Sequence, residues 1–396
     1  MMNTNINTAD KKNYAVKPIN SLCYISLTVL GLYISAYQNA LPEIIKEYGL
    51  PGWAGGFIIA LHFTASFLFP FVLGTVSDRI GRKTVLIGCF VLTLTGMVFV
   101  ILFGNIWMCG IGIFIIGGGY CVIEGNMSSL LCDVNPSKET KVMNLSQMFF
   151  CAGAVCGPIL GTVSNRLFGG WRSAYIFIQL LFLICAVMLA GLKIPRTKVI
   201  SAEGKKEKSL LLNVLKNKYF IILIAAMIVY VGIEEGAAFW TGEYIGTIFG
   251  SAALSAYFLS AYWLGMTIGR LIASFVEKNM DKITFGGIWI ALIFFAGILF
   301  VKNEVVVILC FFAVGFGIAP IWPLIMAYGT VINPSARDTA AGCLISAGAA
   351  GAVILPFLLG ISNDLYGIQV SFAAMLTLLA VLFAGLIVIF KMNKNC

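Results

Sequence analysis

"GGGYCVIEGNMSSLLCDVNPSKETKVMNLSQMFFCAGAVCGPILGTVSN", residues 117–165, is written again in outline at residues 315–363, as "GFGIAPIWPLIMAYGTVINPSARDTAAGCLISAGAAGAVILPFLLGISN". The offset is 198, half of the 396-residue chain. Gly117 and Gly119 meet Gly315 and Gly317, and "NPS" at 135–137 meets "NPS" at 333–335. "GAV" at 153–155 meets "GAV" at 351–353, Pro158 meets Pro356, and "SN" at 164–165 meets "SN" at 362–363. Matches that hold one offset across two apolar runs and the loop between them define an internal repeat. Chance sharing of glycine and proline among helix-packing segments would not keep a single register.

Outward from this repeat, the chain is 60% hydrophobic and only 11% charged. Soluble domains carry roughly 25% charged residues, so a soluble globular fold is excluded. Twelve apolar runs, from 20–41 to 369–390, are each long enough to cross a ~30 Å hydrocarbon core at 1.5 Å per residue. None alternates with the period of a strand, and helices satisfy their own backbone groups in lipid. The expectation is an all-α polytopic membrane protein, with twelve transmembrane helices in two pseudo-symmetric six-helix halves. The expected domains are a cytoplasmic tail at 1–18, an N-terminal bundle at 19–192, a cytoplasmic linker at 193–218, a C-terminal bundle at 219–391 and a cytoplasmic tail at 392–396. The linker carries "AEGKKEKS" and has no apolar periodicity.

The net charge of +9 is sorted by side and does not point to nucleic acid. With the N-terminus placed in the cytoplasm, 22 of the 26 Lys and Arg fall on that side, and only Lys46, Arg166, Arg172 and Lys302 fall outside. Cytoplasmic loops carry such an excess, so both termini are expected inside, at the inner cell membrane. The first run is too long for a signal-peptide core and has no small-residue cleavage site behind it. The eleven cysteines are scattered without CxxC or a neighbouring histidine cluster. They read as small packing residues, with no metal and no cofactor expected.

Parallel repeats of this kind mark transporters whose halves rock around a site near the bilayer middle. "GGGY", "GAVCGPILG" and "SAGAAGAV" let backbones approach where no hydrophobic force drives association, and Pro158 and Pro356 each free one backbone bond for a bend. Between segments 2 and 3 stands "GTVSDRIGRK", residues 74–83. Gly74 permits a close helix contact and Gly81 lets the short loop turn. Asp78 sits among Arg79, Arg82 and Lys83, where an acid at a helix end holds a helix of the other half in one conformer only.

That stretch resembles the loop signature of the major facilitator superfamily, G-x-x-x-D-R-x-G-R-[RK], at every fixed position. The equivalent loop of the second half, "FVEKNMDK", keeps only Glu277 and Lys278 as a trace. Within the superfamily, the chain resembles the fucose–glucose–galactose type of proton symporter. The resemblance rests on "EGN" in segment 4 (Glu124, Asn126), "NLSQMF" in segment 5 (Asn144, Gln147), "YVGIEEGAAFW" in segment 7 (residues 230–240) and "GFGIAPIWP" in segment 10. It implies transport of a sugar or polyol by alternating access, with protons as the coupling ion. One departure is that the symporter's segment-1 aspartate is replaced here by Gln38, four residues before Pro42.

An ionisable residue inside a membrane marks a functional site by default. Glu124 lies ~13 Å from the cytoplasmic end of its segment, near the bilayer middle, as a proton carrier or a partner of substrate hydroxyls. Glu234 and Glu235 stand about 100° apart around a helix and cannot share one direction. Glu234 is assigned to the cavity and Glu235 to a helix interface or an outer vestibule, while Gly232 and Gly236 predict local unwinding. Arg270 is close enough to the inner surface to snorkel, with a gating role beside that reading. His62, the one histidine, reads as a hydrogen-bonded structural residue. Sugar rings stack on aromatics while their hydroxyls need amides and carboxylates. Gln38, Asn39, Glu124, Asn126, Gln147, Glu234, Trp240 and Trp322 are therefore the expected substrate-binding residues. Trp322 occupies the repeat position of Glu124. Glu124 and Glu234 are the expected proton-coupling residues, and Gly74, Asp78, Arg79, Gly81, Arg82 and Arg270 the expected gating residues. The chain is expected to work as a monomer. The competing expectation is a proton-driven exporter of drugs or metabolites, because "GAVCGPILG" also resembles the exporters' G-x-x-x-G-P. Against it, segment 4 lacks the exporters' membrane arginine. No nucleophile–base or metal constellation supports an enzyme.

Overall fold

A computed structural model describes residues 15–136, 139–195, 214–250, 254–275, 280–333 and 337–393. The expected tails, most of the linker, and Glu277 and Lys278 lie largely or wholly outside these ranges. So do the side chains of Asp78, Arg79 and Asn144 and the surroundings of Gly74, where the backbone is helical. The helices are α1 (Val16–Tyr48), α2 (Gly52–Ile80), α3 (Arg82–Leu102), α4 (Ile106–Val134), α5 (Glu139–Phe168) and α6 (Arg172–Gly191) in the first half. The second half holds α7 (Lys218–Phe249), α8 (Ser255–Ser274), α9 (Met280–Phe300), α10 (Glu304–Ile318), α11 (Ile321–Ile332), α12 (Arg337–Tyr366) and α13 (Ile368–Asn393). No strand occurs among the described residues.

Among the described residues, eleven stretches are long and apolar enough to span a membrane, α10 and α11 together supplying one of them. The twelfth span, α8, falls short in apolarity because it carries Ser255, Ser260, Thr267 and Arg270. The tenth expected span is interrupted at Ala319–Pro320, whereas its repeat partner α4 runs unbroken. Proline at 320 and again at 323 explains the difference, since neither can donate to the preceding turn.

The repeat extends to helix caps. Asn105 Oδ1 accepts from Trp107 N at 2.8 Å to start α4, and Asn303 Oδ1 accepts from Val306 N at 3.2 Å to start α10. Both supply an acceptor to orphan N–H groups of the first turn, and their numbers differ by the same 198. Within each half the equivalent spans pack together: α1 on α5 and α7 on α12, α2 on α4 and α8 on α10, α3 on α4 and α9 on α10. The halves meet through α2 with α12, α5 with α8, and α1 with α7. The most apolar window of α1 is 67% buried, against 33% for α6 and α9, so α1 is central and the other two are peripheral. Large apolar side chains such as Trp107, Val187, Trp289, Ile293 and Phe300 face outward, toward lipid.

Because the spans are even in number, α1 begins and α13 ends on one face, here called the terminal face; the opposite one is the distal face. The distal face is closed between the halves. Gly52 N and Trp53 N, at the start of α2, donate at 2.7 Å each to the Asp364 carboxylate near the end of α12. One half thus caps a helix N-terminus of the other. Pro42 of α1 fits against Gly242 of α7, and Gly56 of α2 against the Pro356–Phe357 backbone.

Candidate functional site

Midway through the bundle, side chains from both halves converge on one guanidinium. Arg270 of α8 donates from Nη2 to Glu234 Oε1 of α7 at 2.8 Å, as a buried ion pair. From Nη1 it reaches Cys151 Sγ at 3.0 Å and Gln147 Oε1 at 3.5 Å, both on α5. Glu124 faces Arg270, Gln147 and Glu234 from α4. Snorkelling of Arg270 toward the nearer surface does not occur. Side chains in a helix tilt toward its N-terminus, and α8 begins at the distal face, so the long side chain is carried inward.

Glu235, the neighbour of Glu234, points another way. Its Oε2 accepts from Gln38 Nε2 of α1 at 3.1 Å, and Gln38 Oε1 accepts from Trp263 Nε1 of α8 at 2.9 Å. Gln38 and Trp263 are buried almost completely. This chain of bonds crosses from the second half to the first and back. The two glutamates thus diverge as adjacent helical positions must: Glu234 is held within the second half and Glu235 lies on the interface between halves. The expected unwinding at Gly232 and Gly236 is absent, and α7 is continuous. Those glycines make room instead for Leu355 of α12 and for Leu359 and Met375. The Tyr262 hydroxyl donates to the Glu234 carbonyl at 3.1 Å, which fastens α8 to the same turn.

Of the expected substrate residues, Gln38, Glu124, Gln147 and Glu234 come together here. Asn39 does not: it lines a distal cavity of about 190 Å³ with Pro42, Glu43, Thr162, Asn165, Arg166 and Ser255. Trp240 is also displaced from the expectation. Its indole donates to the Pro356 carbonyl at 3.0 Å and its ring packs beside Gly55 and Gly360, in the distal seal. Asn126 donates back to the Val122 carbonyl of its own helix at 2.9 Å. Trp322 is half-buried just beyond the α10–α11 break.

The expected gating loop divides. Gly81 has φ +91°, a conformation that side chains rarely adopt, and it starts α3 as anticipated. Arg82 is buried and bridges to Asp133 Oδ2 at 2.5 Å and Ser129 Oγ at 2.9 Å, both on α4 of its own half. It braces the first half, and these partners do not cross to the other. His62 is fully buried with Nδ1 3.4 Å from the Tyr33 hydroxyl, among Tyr37 and Tyr120. No group of His, Cys, Asp and Glu suited to a metal occurs among the described residues.

The residues that sequence reasoning left out of the site are Glu235, Trp263, Cys151 and Asp364. Glu235 carried a signal as an acid at bilayer depth, and Trp263 as an aromatic in a segment expected to line the central cavity. The others acquire meaning from partners between 119 and 312 residues away.

A site buried where two six-helix halves meet, with carboxyls and amides around one cation, defines a membrane transporter. A family model of the Major Facilitator Superfamily matches residues 23–331. The chain belongs to that superfamily. A gentisate transporter of Corynebacterium glutamicum is 26% identical over 84% of this chain and 78% of its own. The glucose/mannose transporter GlcP of Bacillus subtilis is 22% identical over 71% of this chain and 72% of its own. The nucleoside transporter NupG, solved as a point mutant, superposes with a TM-score of 0.79 at 14% identity, over 95% of this chain and 99% of that one. The last likeness establishes the fold.

Proposed function

We propose that this protein is a secondary active transporter that carries a small polar solute, a sugar or polyol, across the cytoplasmic membrane by alternating access, coupled to protons. The observation that carries the reading is the composition of the central cluster. Glu124, Glu234 and Glu235 share one guanidinium, that of Arg270, which is committed to Glu234. Glu124 and Glu235 are half-buried inside the bundle without a cation of their own among the described residues. An ionisable group at bilayer depth is costly unless it is paired or faces a water-filled cavity, so these two carboxyls call for protons or for hydroxyl donors from a solute. Gln38 and Gln147 add amides to the same place. The glucose/mannose relative and the resemblance of the glutamate-bearing segments support a sugar.

The terminal face is read as cytoplasmic, because 21 of the 26 Lys and Arg fall on that side, four fall on the other and Arg270 is in the core. The distal contacts of Asp364, Trp240 and Pro42 then form the outer gate, and Gly74, Asp78, Arg79 and Gly81 belong to the inner one. The halves are taken as 19–192 and 219–391, joined by the basic linker 193–218.

The test uses purified protein in liposomes on a solid-supported membrane, with transient currents recorded as D-glucose, D-mannose, L-fucose or gentisate is added at several pH values. A sugar current that grows with an inward proton gradient supports the reading, and Glu124→Gln should abolish uphill accumulation while the protein stays folded. Silence with every sugar and a current with gentisate would overturn the sugar assignment. A solute current indifferent to the proton gradient would overturn coupling.

A further inference from the structure

We infer that Glu235 is a protonation site of the transport cycle, and that Gln38 and Trp263 convert its charge into a contact between the two halves. The inference rests on the proton-coupled reading above and moves the coupling role from Glu234 to its neighbour. Glu234 already has a cation, so taking up a proton there would strand a buried guanidinium. Glu235 is ion-paired to no residue among those described. It is faced by Glu124 and Tyr120 from α4, by Tyr262 and Arg270 from α8 and by Glu234 beside it. From α1 it meets the Gln38 amide.

The direction of that amide is forced. An indole N–H can only donate, so Gln38 must turn its oxygen to Trp263 and its NH₂ to Glu235. Gln38 is fully buried, so its amide depends on these two partners. An ionised Glu235 therefore receives a charge-assisted hydrogen bond, roughly twice as strong as a neutral one. Adding one proton to the carboxylate cancels the charge: an O–H on Oε2 would face the Gln38 NH₂, which cannot accept it, and an O–H on the other oxygen leaves Gln38 a neutral, weaker acceptor. Release of that proton restores the match.

The bond joins α7 to α1, which belong to different halves and close against each other at the distal face through Pro42 and Gly242. Ionised Glu235 favours the distal-closed arrangement seen here. Protonation removes part of that preference and shifts the population toward distal opening.

The experiment needs no solute. Spin labels on genetically encoded keto residues replace Trp107 and Phe300, exposed positions near the distal face in opposite halves, leaving the native cysteines in place. The distance between them is measured by electron–electron double resonance in lipid nanodiscs in alkaline and in acidic buffer. The wild type should gain a longer-distance population in acid. Glu235→Gln should show the acid-like distribution in both buffers. Trp263→Phe, which frees Gln38 to turn, should shrink the acid response, and Glu243→Gln on the distal face should keep it. An unchanged acid response in Glu235→Gln, its loss in Glu243→Gln, or no acid response in the wild type would each overturn the inference. The liposome currents test coupling separately, because they read solute movement and this measurement does not.

Discussion

In the first half, a Cβ added to Gly119 would meet the Cys89 carbonyl, and in the second a Cβ added to Gly317 would meet the Gly287 carbonyl. Positions 89 and 287 keep the offset of 198 that separates the glycines themselves. Gly153 lies against the Thr28 carbonyl of α1, and its partner Gly351 against the Ile228 carbonyl of α7. The two halves thus repeat their backbone approaches, with the α1 and α7 contacts offset by 200 where the glycines are offset by 198. Their chemistry is not repeated. The guanidinium and two of the three carboxyls of the central cluster belong to the second half, which also holds the interrupted span α10–α11. The first half gives Glu124, Gln38 and Gln147, and its counterpart of Trp322 is Glu124 itself. Small residues are interchangeable between halves because a close approach needs only the absence of a side chain. A charge site needs a definite donor at a definite place, and one copy is enough.

The largest effect should come from breaking the asymmetric part. Arg270→Ala leaves Glu234 buried without its cation and should cost about 3–5 kcal/mol, read as an early melting transition in detergent. Arg270→Gln combined with Glu234→Gln should recover most of the loss. If the single variant melted like the wild type, the pair would not hold the second half together. Next comes the symmetric part. Gly153→Val and Gly351→Val each force a side chain onto a facing carbonyl and should cost about 1–3 kcal/mol. Equal losses in the same assay would sharpen the equivalence of the halves, and a silent member of the pair would break it. The smallest effect separates Asp364 from its repeat partner Arg166. Asp364→Asn weakens a cap supplied across the halves and should cost the distal-closed form about 1 kcal/mol. Faster hydrogen exchange at the Gly52 and Trp53 amides would report it. Arg166→Ala should leave those amides unchanged.

Much of the fold is legible in the residues. The spans, the two halves, the turn at Gly81 and the prolines within α5 and α12 follow from patterns local to each segment. The break at Ala319–Pro320 is available as well, since two prolines three apart seldom leave a span intact, yet apolarity alone masks it. The site is legible as a set of acids and amides at bilayer depth, Glu124, Glu234, Gln38 and Gln147, without their pairings. The snorkelling expected of Arg270 fails although its Cα lies near the end of α8, because the side chain's direction depends on the sense in which the helix runs. Trp240 shares a helix with the glutamates, which suggests a sugar platform, but it sits on a turn that faces Pro356.

What the sequence determined by itself is which segments enter the membrane and that they form two copies of one plan. Transfer into lipid is a sum over local side chains, and a repeat is a comparison of the chain with itself. Which glutamate meets the arginine, which meets an amide, and which carboxylate caps a helix across the halves were decided by tertiary structure. Gln38 and Trp263, or Asp364 and Gly52, have no relation along the chain. They are brought together only when two bundles dock, and a buried polar group takes its role from whatever partner that docking supplies.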